Sequence, residues 1–126
     1  MRRVLIIDDQ PYMGELIGED LVEDGHEVRC VGDSTEVMGV LRQFRPDIVL
    51  LDLFLGGFEG WSLLSKIKQE APLLPVLIVT AYDTYKEDPR AALADGYLIK
   101  NFDTDELKSA INATLAQFLH EPYPPI

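Results

Sequence analysis

Five short apolar runs punctuate the chain, at Val4–Ile7, Val28–Val31, Ile48–Leu51, Val76–Val79 and Tyr97–Ile99. Each has the length of a strand. Three are nearly unbroken Val, Ile and Leu rather than alternating with polar residues, the pattern of parallel strands covered on both faces. Between the runs, apolar residues recur at helical spacing: Met13, Leu16, Ile17 and Leu21, then Val37, Val40, Leu41 and Phe44, then Leu63, Leu64 and Ile67. The last helix has the clearest pattern. Asp103 and Glu106 stand in capping-box positions, and Leu107, Ile111, Leu115 and Phe118 follow on one face. Strand and helix alternate five times, which predicts an α/β fold: a doubly wound, five-stranded parallel sheet with right-handed crossovers and helices on both faces.

The segment between the fourth and fifth runs is short. Its best helix start is Asp88 as cap with Pro89 in the first helical position, leaving only Pro89–Ala94 for a short fourth helix and residues 82–87 as loop. The ending Glu121-Pro122-Tyr123-Pro124-Pro125-Ile126 cannot continue a helix and reads as an extended tail or linker stub after one domain over residues 1–120.

At 126 residues and 47% hydrophobic, the chain suits a single core. Eleven basic against 22 acidic residues give a net charge of -11, which disfavours direct binding to nucleic acid or to an anionic membrane. A single cysteine, Cys30, in an apolar-rich segment excludes a disulfide framework or a zinc or iron–sulfur site. The apolar run before Asp8 is too short for a signal peptide, and no stretch approaches membrane-spanning length. A soluble, cytoplasmic protein is expected.

In a sheet of this kind, chemistry collects beyond the carboxyl ends of the strands. The residues there are Asp8 and Asp9 after the first run, Asp52 after the third, Thr80 after the fourth and Lys100 after the fifth. Each has an ordinary explanation when taken singly: a helix cap for Asp8-Asp9, a loop acid for Asp52, a β-branched strand residue for Thr80, a snorkelling cation for Lys100. Convergence changes the balance. Three carboxylates in a partly dehydrated pocket repel one another unless cations neutralise them, which calls for a divalent ion alongside Lys100. All-oxygen anionic ligation with room for water favours magnesium. A phosphoryl group on Asp52 as nucleophile would then meet the metal, the Lys100 ammonium and the Thr80 hydroxyl.

The segments Val4-Leu-Ile-Ile-Asp8-Asp9, Asp47-Ile-Val-Leu-Leu-Asp52-Leu, Val76-Leu-Ile-Val-Thr80-Ala81-Tyr82 and Asp95-Gly96-Tyr97-Leu98-Ile99-Lys100-Asn101-Phe102 resemble the receiver domain of bacterial two-component response regulators. The likeness spans essentially the whole chain. It implies a flavodoxin-like sheet in the order 2-1-3-4-5. It also implies phosphotransfer from a phosphohistidine on a sensor histidine kinase or histidine phosphotransfer domain to Asp52, in a two-component system or phosphorelay. Magnesium would be held by Asp8, Asp9, Asp52 and the backbone carbonyl of Phe54. Thr80 and Tyr97 would form a switch pair that remodels the face made by the fourth helix, fifth strand and fifth helix, where a downstream protein or output domain binds. Such a domain is a phosphoacceptor switch rather than an enzyme, although it assists its own phosphotransfer and dephosphorylation. Phe54 and Tyr82 flank the expected path of a hydrolytic water, and a phenyl ring cannot orient that water, so a long-lived phosphorylated state is expected.

Three positions depart from the family pattern. Asn101 follows Lys100 where proline is usual, and a cis bond there would cost about 3 kcal/mol. Gly56-Gly57 replaces Pro-Gly and loosens the loop after Asp52. The short segment before the fifth run alters the output face. Competing readings are a receiver-like docking module that no longer accepts phosphate, an Asp-nucleophile phosphatase of the haloacid-dehalogenase kind, which would need an acid at Phe54, and a flavodoxin, whose phosphate Asp8-Asp9 would repel.

Overall fold

A computed structural model describes residues 2–55, 59–100 and 104–118, with the backbone alone at 11–16 and 59. The calls on Met13, Leu16, Gly56, Gly57, Asn101, Asp103 and the 121–126 tail fall outside what it describes. The strands are β1 (Arg3–Ile7), β2 (Glu27–Val31), β3 (Ile48–Leu51), β4 (Val76–Thr80) and β5 (Gly96–Ile99). The helices are α1 (Pro11–Glu23), α2 (Val37–Phe44), α3 (Glu59–Glu70) and α4 (Thr104–Gln117), with 3-10 turns at Ser34–Glu36 and Pro89–Leu93.

All strand pairings are parallel, and the sheet order is β2-β1-β3-β4-β5. The period of two along each strand divides the core into two layers. Leu5, Ile7, Val49, Leu51 and Ile78 face Val37, Leu41 and Phe44 of α2 and Leu63, Leu64 and Ile67 of α3. Val4, Ile6, Ile48, Leu50, Leu77 and Val79 face Ile17 and Leu21 of α1 and Leu107, Ile111 and Leu115 of α4. Central strands β1, β3 and β4 are thus buried on both sides, which is why their sequences are unbroken apolar runs. Strand β2 lies at an edge, and there Cys30 is exposed despite its apolar neighbours.

The short fourth helix expected at Pro89–Ala94 is present as a five-residue 3-10 turn, Pro89–Leu93, with Ala94 closing it. The Asp88 carboxylate caps it by accepting from the Arg90 backbone N–H at 2.9 Å. Three-residue turns need less length than an α-helix, and the segment contributes no buried residue that would reward a longer one. Residues 82–87 form neither helix nor strand, with turns over 84–87, in line with the loop expected there.

Beta-strand β5 is anchored at its start by Asp95. Its carboxylate accepts from the Lys68 ammonium at 2.7 Å and from the Val76 N–H at 2.8 Å, tying β5 to α3 and β4. At the other end, the Lys100 N–H donates to the Thr80 carbonyl at 2.7 Å. Register fixed at both ends delivers Lys100 to the carboxyl edge of the sheet. Among the described residues, no helix is long and apolar enough to cross a membrane.

Candidate functional site

Sheet order places the ends of β1 and β3 side by side, and Asp8 and Asp52 leave the sheet there. The Asp8 N–H donates to the Val31 carbonyl at 3.0 Å and the Asp52 N–H to the Ile7 carbonyl at 2.9 Å, so both backbones remain under sheet control at the point where the acids project. Asp8, Asp9 and Asp52 each bring one carboxylate oxygen within 4.8 Å of the others. Asp9 is exposed, Asp8 half-buried and Asp52 only 6% exposed. The pocket therefore runs from solvent into the protein.

Lys100 supplies the opposing charge. Its Nζ lies 2.7 Å from Asp8 Oδ2 and 3.1 Å from Asp52 Oδ2, and it donates to Gln10 Oε1 at 3.1 Å. Burial pulls the ammonium toward neutrality, but its hydrogen bond to Asp8 and the charges of Asp8 and Asp52 outweigh this, leaving its pKa above the ordinary lysine value. Burial raises the Asp8 pKa, and Lys100 offsets only part of the increase. The remaining Asp8 oxygen accepts from the Gln10 N–H at 2.9 Å, and Asp52 Oδ1 accepts from the Phe54 N–H at 3.1 Å. Asp8 and Asp52 thus each place one oxygen on Lys100 and the other on a backbone N–H, with the exposed Asp9 carboxylate close by. That donor set, anionic and all-oxygen, fits a small hard divalent cation.

Thr80 is fully buried at the end of β4, and its Oγ1 accepts from the Tyr82 N–H at 3.4 Å. Tyr97, half-buried on β5, donates its hydroxyl to the backbone carbonyl of Tyr82. Both residues expected to switch therefore engage the same residue, Tyr82, Thr80 at its N–H and Tyr97 at its carbonyl. Phe54 is half-buried, its ring centroid 4.6 Å from that of Tyr82 and 5.5 Å from that of Tyr85. The two residues expected to flank the site are thus in direct ring contact.

Two contributors carried no clear sequence signal. Gln10 looks like any polar residue at a helix start, and its contact with Lys100 joins positions 90 residues apart. Gly60, in the first turn of α3, touches the backbone of the acid-bearing loop so closely that a β-carbon would lie 2.4 Å from Leu53 Cα and 2.7 Å from the Asp52 carbonyl oxygen. Three glycines crowd this stretch, and composition does not say which one the packing requires.

Comparison with known proteins agrees with this geometry. Residues 4–112 match the family model of the response regulator receiver domain. The chain is 36% identical over 115 residues to the probable transcriptional regulatory protein TcrX of Mycobacterium tuberculosis, covering 89% of this chain and 49% of TcrX. It spans about half the length of the curated relatives it matches. Among solved structures, the response regulator TrrA of Thermotoga maritima in complex with Mg(2+)-BeF superposes with a TM-score of 0.84 at 31% identity, covering 90% of this chain and 98% of TrrA. TrrA in complex with the histidine kinase ThkA gives a TM-score of 0.82 at 30% identity, covering 95% of this chain and 100% of TrrA. This chain belongs to the response regulator receiver domain family.

Proposed function

We propose that the chain is a phosphorylation switch in which Asp52 accepts a phosphoryl group from a phosphohistidine on a sensor kinase or phosphotransfer domain. The observation that carries this reading is the Lys100 ammonium held between Asp8 and Asp52, beside Asp9, at the carboxyl edge of the sheet. Asp8, Asp9, Asp52 and the Phe54 carbonyl would hold magnesium. When bound, the ion neutralises the acids and the oxygens of the incoming phosphoryl group. An Asp52 carboxylate oxygen attacks phosphorus, the P–N bond breaks, and its electron pair returns to the imidazole nitrogen. Lys100 then shifts from pairing two carboxylates to pairing the phosphoryl oxygens, and the Thr80 hydroxyl donates to them.

The kinase-bound and Mg(2+)-BeF structures of TrrA support the partner class and the ion. The phosphatase alternative lacks its acid, because the side chain at position 54 is a phenyl ring packed on Tyr82 and Tyr85. Residues 1–120 would be the receiver and 121–126 its link onward, and the output face would comprise the 3-10 turn Pro89–Leu93, β5 and α4. Thr80 and Tyr97 would switch that face through their shared partner Tyr82. The role is regulatory; any hydrolysis of the aspartyl phosphate is self-directed and slow, with Phe54 and Tyr82 restricting water.

Incubation with magnesium and a small acyl phosphate, followed by intact mass measurement, tests the proposal. One phosphoryl adduct on the wild type and none on Asp52→Ala is expected. An adduct of equal yield on Asp52→Ala would refute the assignment.

A further inference from the structure

A continuous line of aromatic contacts leaves the acceptor and ends outside the site. It begins at Asp52 Oδ1, which accepts from the Phe54 N–H at 3.1 Å. The Phe54 ring is tilted 58° against Tyr85 at 5.5 Å, and Tyr85 meets Trp61 of α3 edge-on at 6.4 Å and 75°. The Arg90 guanidinium lies over the Trp61 ring, 4.3 Å from its centre. Arg90 is in turn fixed to Asp88 by contacts of 2.8 and 3.1 Å, and Asp88 caps the 3-10 turn. Four side chains thus connect the acceptor carboxylate to the 3-10 turn that stands between β4 and β5.

Trp61 is 7% exposed, and its indole N–H is buried without a hydrogen-bond partner among the described residues. A buried donor that gains a partner on moving is favoured to move. Packed rings do not deform continuously; they exchange between discrete arrangements. Phosphorylation converts Asp52 from a carboxylate that accepts from the Phe54 N–H into a bulkier acyl phosphate whose carbonyl is a weaker acceptor, loosening the backbone contact that holds Phe54 beside it.

We propose that Phe54, Tyr85 and Trp61 form a relay that reports the state of Asp52 to Arg90 and the Pro89–Leu93 turn, a branch that meets the Thr80 and Tyr97 pair at Tyr82, whose ring also contacts Phe54. This rests on the reading of Asp52 as phosphoacceptor. Tyr85 is the coupling residue: it touches Phe54 on one side and Trp61 on the other, and lies outside the acid cluster. Arg90 is the output: its guanidinium lies over the Trp61 ring and pairs with Asp88, the cap of its own turn.

The single tryptophan of the chain makes this measurable. Magnesium and beryllofluoride are added to the full chain; bound beryllofluoride is followed by fluorine NMR and Trp61 by its emission, with magnesium alone as reference. Wild type should show a bound fluorine signal and a Trp61 change beyond that from magnesium. Tyr85→Leu should bind beryllofluoride to the same extent but lose at least half of that Trp61 change, and Tyr85→Phe, which keeps the ring, should restore it. A bound fluorine signal with an unmoved Trp61 in wild type, or a full Trp61 response in Tyr85→Leu, would overturn the relay alone. Absence of any bound fluorine signal in wild type would overturn the phosphoacceptor reading and the relay with it.

Discussion

Gly60 donates its backbone N–H to the carbonyl of Leu53 at 3.1 Å, so the first turn of α3 is bonded directly to the residue after Asp52. No side chain fits between them. Gly60→Ala would place a methyl 2.4 Å from Leu53 Cα and 2.6 Å from its carbonyl oxygen, both backbone atoms that cannot swing aside. Alanine favours helix by up to about 1 kcal/mol, but overpacking of this kind costs about 1–3 kcal/mol. The expected result is a lower urea midpoint together with slower adduct formation on Asp52. A variant as stable and as readily phosphorylated as wild type would show that the loop yields freely.

Lys100→Met keeps most of the apolar stem and deletes the charge that lies between Asp8 and Asp52. Two opposite effects are expected. Magnesium should bind at least as tightly, because a competing cation has gone. Phosphorylation should slow by about 10²-fold, the usual loss for one removed transition-state donor. Calorimetric titration and the rate of adduct formation separate the two. Weakened magnesium binding would mean that Lys100 organises the acids rather than competes for them.

Phe54→Asn replaces a ring packed on Tyr82 and Tyr85 with an amide able to position water. Loss of phosphate from the purified phosphoprotein, with magnesium and without phosphatase, should accelerate by up to about 10²-fold, the lower range for a positioned polar group. An unchanged rate would show that the ring does not shield the site.

Asp88 provides a pH signature of the 3-10 turn. The Arg90 guanidinium, followed by the Arg90 N–H, holds its carboxyl down to about 2. Because the folded pKa is depressed, the contribution of this cap is complete above the usual carboxylate range and is lost as pH falls from that range toward 2. Carbon NMR titration should find Asp88 protonating near 2 in wild type. In Arg90→Gln, which retains the backbone donor, it should rise part of the way to an ordinary value. An Asp88 that titrates normally in wild type would contradict the pair.

Most of the sheet was legible because buried parallel strands carry unbroken apolar runs, and all five were located within a residue or two of their observed ends. The acid pair, Asp52, Thr80 and Lys100 were legible because each terminates such a run. Less could be read between Thr80 and Lys100. There the chain uses turn chemistry and side-chain contacts across the fold: Arg90 over Trp61, Tyr97 to the Tyr82 carbonyl, Asp95 to Lys68. Contacts of that kind leave no periodic trace. Gly60 and Gln10 were missed for the same reason, since their importance lies in what the fold brings near them.

The proposed switch stands on Asp52 carrying the phosphoryl group. An acyl phosphate, unlike a phosphate on serine, threonine or histidine, is reduced by borohydride to an alcohol, which would convert residue 52 to homoserine. After incubation with magnesium and a small acyl phosphate, borohydride treatment and peptide sequencing should find homoserine at position 52 and at neither Asp8 nor Asp9. Homoserine at Asp8 or Asp9, or an adduct on the intact protein that leaves residue 52 as aspartate, would rule out Asp52 as the phosphoacceptor.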